Sequence, residues 1–332
     1  MKSDYFYDLI TNENSQEYIS NLGEDVLFIY SPTSFEKVKL KNQKIKMVSW
    51  HHISKNVEKI EEFIKKLNDI TEVVTFGGGS TIDIGKYIAN KLNVKYTCIL
   101  TMLSTNSYAT NKTCLLKNNL KITLLSKMPD KIIVDNELLK LSESENLYGL
   151  ADVLSIYTAL YDWKIANEDI NENIDIKIYN MAENLLLDVL KFIEENTLEE
   201  IISNNMKSLE LIGISGYITN LYGTGRPESG SEHVMAKEIE RRLDIPHGIS
   251  VSIGIIIMSI MQERESERIR NAINKIKVFD KQKFYGINQN LIIECLENIK
   301  PKDGRYTIID RYVKNKSSKE DILNSFFSKV HM

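Results

Sequence analysis

The chain has 332 residues, 42% hydrophobic and 27% charged, which suits two soluble domains with real cores. Its formal net charge is −4 and its basic residues are scattered, so no nucleic-acid stripe or basic membrane helix is expected. Three cysteines (Cys98, Cys114 and Cys295) in unpaired spacing argue against a disulfide framework and for a reducing cytoplasm. The opening Met-Lys-Ser-Asp-Tyr carries no apolar leader core, and the run Ile253–Ile257 is too short to insert in a bilayer. The richest lysine stretch, Lys37-Val38-Lys39-Leu40-Lys41, reads as a solvated surface.

In chain order, strand-like and helix-like segments alternate first. Strands are expected at Val26–Tyr30, Lys46–Trp50, Glu72–Phe76, Lys95–Leu100 and Lys131–Asp135, with helices at Asn56–Leu67 and Asp83–Leu92. That order predicts a parallel sheet wound with helices. After Leu138 long amphipathic segments dominate: 150–167, 176–195, 198–215, 232–243, 248–272 and 289–299. The expected organisation is therefore an α/β domain over 1–139 and a helical domain over 140–332, with a ligand in the cleft between them. Cys98 lies in an apolar run and is expected in the core.

Residues 77–86 read Gly-Gly-Gly-Ser-Thr-Ile-Asp-Ile-Gly-Lys, directly after the apolar Val73-Val74-Thr75-Phe76. A buried strand leads into a turn free of side chains, and a helix opens with its N–H groups and positive dipole end facing the same space. Diphosphate suits that space; an ordinary tight strand-to-helix turn is the alternative. A second constellation comes from polar residues in unusual settings. His233 follows Ser229-Gly230-Ser231-Glu232, His247 lies between Pro246 and Gly248, and Asp152 precedes the apolar segment Val153–Trp163. One carboxylate and two imidazoles with a coordination position left open make a workable catalytic metal site. A helix cap and two satisfied histidines are the other reading of the same residues.

The glycine phrase, Thr101-Met102-Leu103-Ser104-Thr105-Asn106-Ser107, Gly149-Leu150-Ala151-Asp152 with Asp162-Trp163, Arg226-Pro227-Glu228-Ser229-Gly230-Ser231-Glu232-His233, His247-Gly248 and Gly304-Arg305-Tyr306-Thr307-Ile308 occur in one order. Together they resemble the superfamily of iron-containing alcohol dehydrogenases, glycerol dehydrogenase and dehydroquinate synthase, nearest to the sn-glycerol-1-phosphate dehydrogenase branch. The resemblance implies an α/β N-terminal Rossmann-like domain plus an all-α C-terminal domain, the dehydroquinate synthase-like fold. It implies NAD or NADP and one divalent metal (zinc first, then iron or nickel) held by Asp152, His233 and His247. The cofactor residues would be Gly77, Gly78, Gly79, Ser80 and Asp83 at the diphosphate, with Thr101, Ser104 and Thr110 on the nicotinamide side. The implied reaction is hydride transfer to or from a small phosphorylated ketone or polyol, in a homo-oligomer of the cytoplasm. A dehydroquinate synthase-like phosphate lyase is the second option.

Departures from the family pattern fall near the expected substrate. Asn106 stands where the polyol dehydrogenases carry aspartate, and Lys237 where the phosphate-using branches carry histidine. Lys237 shares a helical face with His233. Lys237 and Arg226 are expected to clamp a phosphate or carboxylate, a snorkelling surface lysine being the other reading of Lys237, and Lys112 partly matches a lysine loop of the synthases. The segment Tyr30-Ser31-Pro32-Thr33 offers no acid for an adenosine ribose, which permits NADPH.

Overall fold

A computed structural model describes residues 8–11, 14–36, 38, 45–276, 286–302, 304–315, 322 and 324–326. The chain divides into two compact units, residues 1–146 and 147–332.

Among the described residues the first unit has eight strands: β1 (Asp8–Thr11), β2 (Val26–Tyr30), β3 (Lys46–Ser49), β4 (Glu72–Gly77), β5 (Lys95–Leu100), β6 (Lys112–Lys117), β7 (Leu120–Leu125) and β8 (Lys131–Val134). Six of them form one parallel sheet in the order β1-β8-β5-β4-β2-β3. β4 lies inside that sheet, and Val73, Val74, Thr75 and Phe76 are fully buried. Such two-sided burial is why the run before the glycines is continuously apolar and β-branched rather than alternating. The helix Gly79–Leu92 follows at once. It packs so closely on the sheet that a Cβ at Gly85 would collide with the Thr75 methyl group. Cys98 is buried in β5, as its apolar neighbours predict.

Several elements differ from the expectation. The antiparallel hairpin β6–β7 was not anticipated, nor was β1, which pairs with β8 at the end of the sheet. The hairpin turns through Asn118 and Asn119, both at positive φ (51° and 61°), the backbone of a tight two-residue turn. The helix expected from Asp83 begins at Gly79. Lys37, Lys39, Leu40 and Lys41 lie outside the described residues, and Val38 is buried rather than solvated.

In the second unit the described regular elements are helices. The segment expected as one helix over 150–167 is two, Glu143–Val153 and Ile156–Ile170; 198–215 is Leu198–Ser203 and Asn205–Tyr222; 248–272 is His247–Met261 and Glu267–Lys275. The helix His247–Met261 is buried along most of its length. It lies against Ser231–Glu240 so closely that a Cβ at Gly254 would strike the Glu232 carbonyl. Gly248 packs equally tightly on Tyr148. Among the described residues no helix is long and apolar enough to cross a membrane.

Candidate active site

Three helices of the second unit bring Asp152, His233 and His247 together. Their ligand atoms lie within 4.8 Å of one another. His233 Nε2 is 3.2 Å and His247 Nε2 3.6 Å from Asp152 Oδ1. Asp152 sits near the end of its helix, so it is not the N-terminal cap that its sequence position also allowed. Its Oδ1 is buried and accepts no well-aligned hydrogen bond. An anionic oxygen held between two imidazole nitrogens in this way suits a cation ligand.

The remaining ring nitrogens are committed. Glu232 Oε1 lies 2.8 Å from His233 Nδ1, and Glu240 Oε1 lies 2.5 Å from His247 Nδ1. Each carboxylate accepts a hydrogen bond from Nδ1–H, which turns Nε2 toward Asp152 as the atom a cation would take once its proton is displaced. The carboxylates are themselves held. Gly230 N (2.5 Å) and Thr158 Oγ1 (2.7 Å) donate to Glu232, and Ser250 Oγ (2.6 Å) donates to Glu240. Burial works against the Asp152 carboxylate, but the His233 contact and both imidazoles outweigh it and hold its pKa below the ordinary value. Burial likewise disfavours a charged His233, yet Asp152 and Glu232 raise it to about 9. Three acids around two imidazoles thus make a cation-seeking site.

Asp162 supports this cluster from beneath. It is fully buried, accepts from Ser231 N (2.6 Å), Ile308 N (2.9 Å) and Gln262 Nε2 (3.0 Å), and so secures the start of the His233 helix. A Cβ at Gly230 would collide with its Oδ2. Burial, reinforced by Glu232, pushes its pKa up to about 6 against those N–H donors. Sequence reading singled out Asp162-Trp163 without a role and missed Glu232 and Glu240 as partners of the imidazoles. The adjacency of Glu232 to His233 was the one available signal.

Arg226 is tied into the protein on one side. Its guanidinium is buried in a protein network, with Nε 2.9 Å from Glu172 Oε1 and Nη2 donating to Glu172 Oε2 (3.1 Å), Asp162 O (3.1 Å) and Tyr306 O (3.0 Å). It braces the loop before the His233 helix, while its buried Nη1 makes no hydrogen bond among the described residues. Lys237 is half-buried on the His233 helix.

In the first unit no side chain caps the helix at Gly78, so its leading N–H groups are not taken by a side-chain cap. A Cβ would lie 2.7 Å from Met102 Sδ at Gly78 and 2.9 Å from Thr105 Oγ1 at Gly79. At Gly77 it would collide with Thr81. Close approach, not a glycine-only φ, fixes these residues. Ser80, next in the chain, and Ser104, beyond β5, are half-buried. Thr101 is buried, its hydroxyl 2.8 Å from Ser34 Oγ, and buried Thr110 accepts from Lys112 N at 3.0 Å. Asp83 turns to Lys86, 3.4 Å away, rather than standing alone in the first turn. Asn106 and Lys112 are half-buried at either end of the segment containing Thr110.

Comparison with known proteins decides the family. The description "Iron-containing alcohol dehydrogenase" fits residues 33–142. A glycerol-1-phosphate dehydrogenase of Metallosphaera sedula is 31% identical over 264 residues, 76% of this chain and 73% of that protein. The chain belongs to the iron-containing alcohol dehydrogenase family. A Methanococcus aeolicus glycerol-1-phosphate dehydrogenase is 27% identical over 95% of this chain and 89% of its own length. Among solved structures, a probable glycerol dehydrogenase from Sinorhizobium meliloti superposes with a TM-score of 0.65 at 14% identity, covering 97% of this chain and 96% of that one. The NADH-dependent butanol dehydrogenase A of Thermotoga maritima gives 0.62 at 16% identity over 98% and 97%. The fold is that of the family, a Rossmann-like unit followed by a helical one, and the chain is an oxidoreductase. The phosphate-lyase option is not favoured. The curated relatives named here are dehydrogenases, and Ser155, where the synthases carry lysine, is buried with its hydroxyl on the Glu228 carbonyl (2.5 Å).

Proposed function

We propose that this dehydrogenase passes hydride between NAD(P)H and the carbonyl of dihydroxyacetone phosphate, forming glycerol-1-phosphate, or reverses that step. The observation that carries the reading is the Asp152–His233–His247 cluster with its undonated buried Oδ1. The relatives' names supply the substrate and cofactor class. Bound there, a divalent cation supplies Lewis-acid polarisation of a carbonyl oxygen, and a nicotinamide supplies the hydride.

The chain's own residues do the rest. Asp152 contributes one negative charge and the two Nε2 atoms contribute none, so a divalent ion keeps net positive charge and open positions for a substrate oxygen. Glu232 and Glu240 fix both imidazoles in the ligating tautomer. Gly77, Gly78, Gly79 and Ser80 offer the diphosphate backbone N–H groups, and Thr101, Ser104 and Thr110 line the nicotinamide side. Lys237, one turn beyond His233, is the cation assigned to the substrate phosphate, and Asn106 the residue that hydrogen-bonds a substrate hydroxyl. Zinc is the proposed metal, because a site of two imidazoles and one carboxylate with an open position suits it. Either dinucleotide is accommodated in this reading, as Tyr30-Ser31-Pro32-Thr33 at the end of β2 offers no acid to repel a 2′-phosphate. Self-association and a cytoplasmic setting belong to the same proposal.

The test is near-ultraviolet absorbance of NADH and NADPH with dihydroxyacetone phosphate, with and without added zinc, and with His233→Ala as control. Metal-dependent loss of absorbance, absent in the variant, is expected. No loss with either cofactor, in protein that holds metal, would overturn the substrate assignment.

A further inference from the structure

Lys86 is fully buried, with side-chain exposure of 0%, and lies seven residues into the phosphate-turn helix. An ammonium has three protons to donate. All three find main-chain carbonyls of one short segment: Ser107 O (2.7 Å), Thr110 O (3.1 Å) and Lys112 O. Asp83, 3.4 Å away, supplies the countercharge. Thr113 completes the seam by donating to the Asp83 carbonyl (2.7 Å). Burying a charge is costly unless every partner is in place, so this geometry is held as a set. The same segment reaches back to the turn. Thr105 Oγ1 and Ser107 Oγ are the side-chain atoms that a Cβ on Gly79 would meet, at 2.9 and 3.6 Å, and Thr105 donates to Ser107 at 3.1 Å.

We infer that Lys86 is a positioning residue for dinucleotide binding. Its ammonium pins residues 107–112 to the helix, so that the Thr105 and Ser107 hydroxyls stand against the Gly79 end of the turn as added diphosphate partners. Asp83 then serves the cofactor through Lys86 rather than by touching it. An apolar replacement leaves three buried carbonyls without donors, and the segment must rearrange to hydrate them. This inference rests on the dinucleotide reading of the glycine turn.

Titration calorimetry of NADH and NADPH into full-length, metal-loaded protein tests it, with steady-state KM values and thermal midpoints alongside. Lys86→Met should weaken dinucleotide binding about tenfold, about 1.4 kcal/mol, and raise its KM while the KM for dihydroxyacetone phosphate stays put. The double variant Thr105→Ala with Ser107→Ala should weaken binding in the same direction with its thermal midpoint little changed. If Lys86→Met does not fold, Asp83→Asn replaces it: it keeps the three carbonyl bonds, removes the countercharge and should weaken binding about threefold. Folded variants that bind dinucleotide like the wild type, or that shift both KM values equally, would overturn the inference. A wild-type protein that binds neither dinucleotide would overturn the underlying reading of the turn as well.

Discussion

Ten consecutive residues, Gly77 to Lys86, build the glycine turn and the first half of its helix, whereas Asp152, His233 and His247 arrive from three different helices. The turn works by what it lacks: Cβ atoms that would meet Met102 and Thr105, and a side-chain cap that would occupy the leading N–H groups. The metal cluster works by charged side chains, each braced by another: Glu232 behind His233, Glu240 behind His247, and Asp162 beneath the helix that carries His233. A site made of backbone is specified locally. A site made of side chains needs close helix packing, which Gly254 and Gly248 permit. The two should therefore fail independently.

The largest separation is expected from His233→Ala or His247→Ala. Metal content should drop from about one ion per chain to near zero and kcat/KM by about a thousandfold or more. Dinucleotide affinity should stay within about twofold of wild type. Elemental analysis, turnover and calorimetry on one preparation check this.

Protonation should mark the helical unit next. Asp162 holds its proton to about pH 6 when folded, against an ordinary value of 3.8. Between those values the unfolded chain has ionised and the folded one has not. This residue's contribution is thus full below about pH 4 and lost as pH rises through 6, to the order of 3 kcal/mol. Urea unfolding from pH 4.5 to 7.5 should show that decline in the wild type and a flatter profile for Asp162→Asn.

Glycine replacements divide the regions by sterics. Gly85→Ala and Gly254→Ala should each cost about 2 kcal/mol of folding stability through overpacking. Gly254→Ala pushes on the Glu232 main chain and should weaken metal retention. Gly85→Ala acts through Thr75 and should leave the metal in place. The smallest effect is expected from Glu240→Gln, which keeps the shape behind His247 and loses the charge. Metal affinity should fall about tenfold, read by competition with a chelating dye, with dinucleotide binding unchanged.

The same contrast explains what could be read from the chain. β2 and β5 were placed to the residue, and the glycine turn was visible as one phrase, because each is specified by neighbours in sequence. The hairpin β6–β7 went unread. Its alternation is interrupted by exposed Leu120 and Leu125, and the signal that existed, Asn118-Asn119, was passed over. Spacing alone left Asp152, His233 and His247 open to bland readings; the family resemblance singled them out. Arg226 shows what that route leaves out. Its residue type fits an anion clamp, but its partners Glu172, Asp162 and Tyr306 come from distant segments that no local pattern reveals. Glu240 behind His247 was hidden for the same reason.

The most direct test of the central claim, that dinucleotide and metal are held by separate residue sets, is calorimetric titration of NADH or NADPH into chelator-treated wild type and into His233→Ala protein. Dinucleotide affinity equal to that of the metal-loaded wild type, in samples that hold no metal, is the predicted result. Loss of dinucleotide binding together with the metal would contradict it.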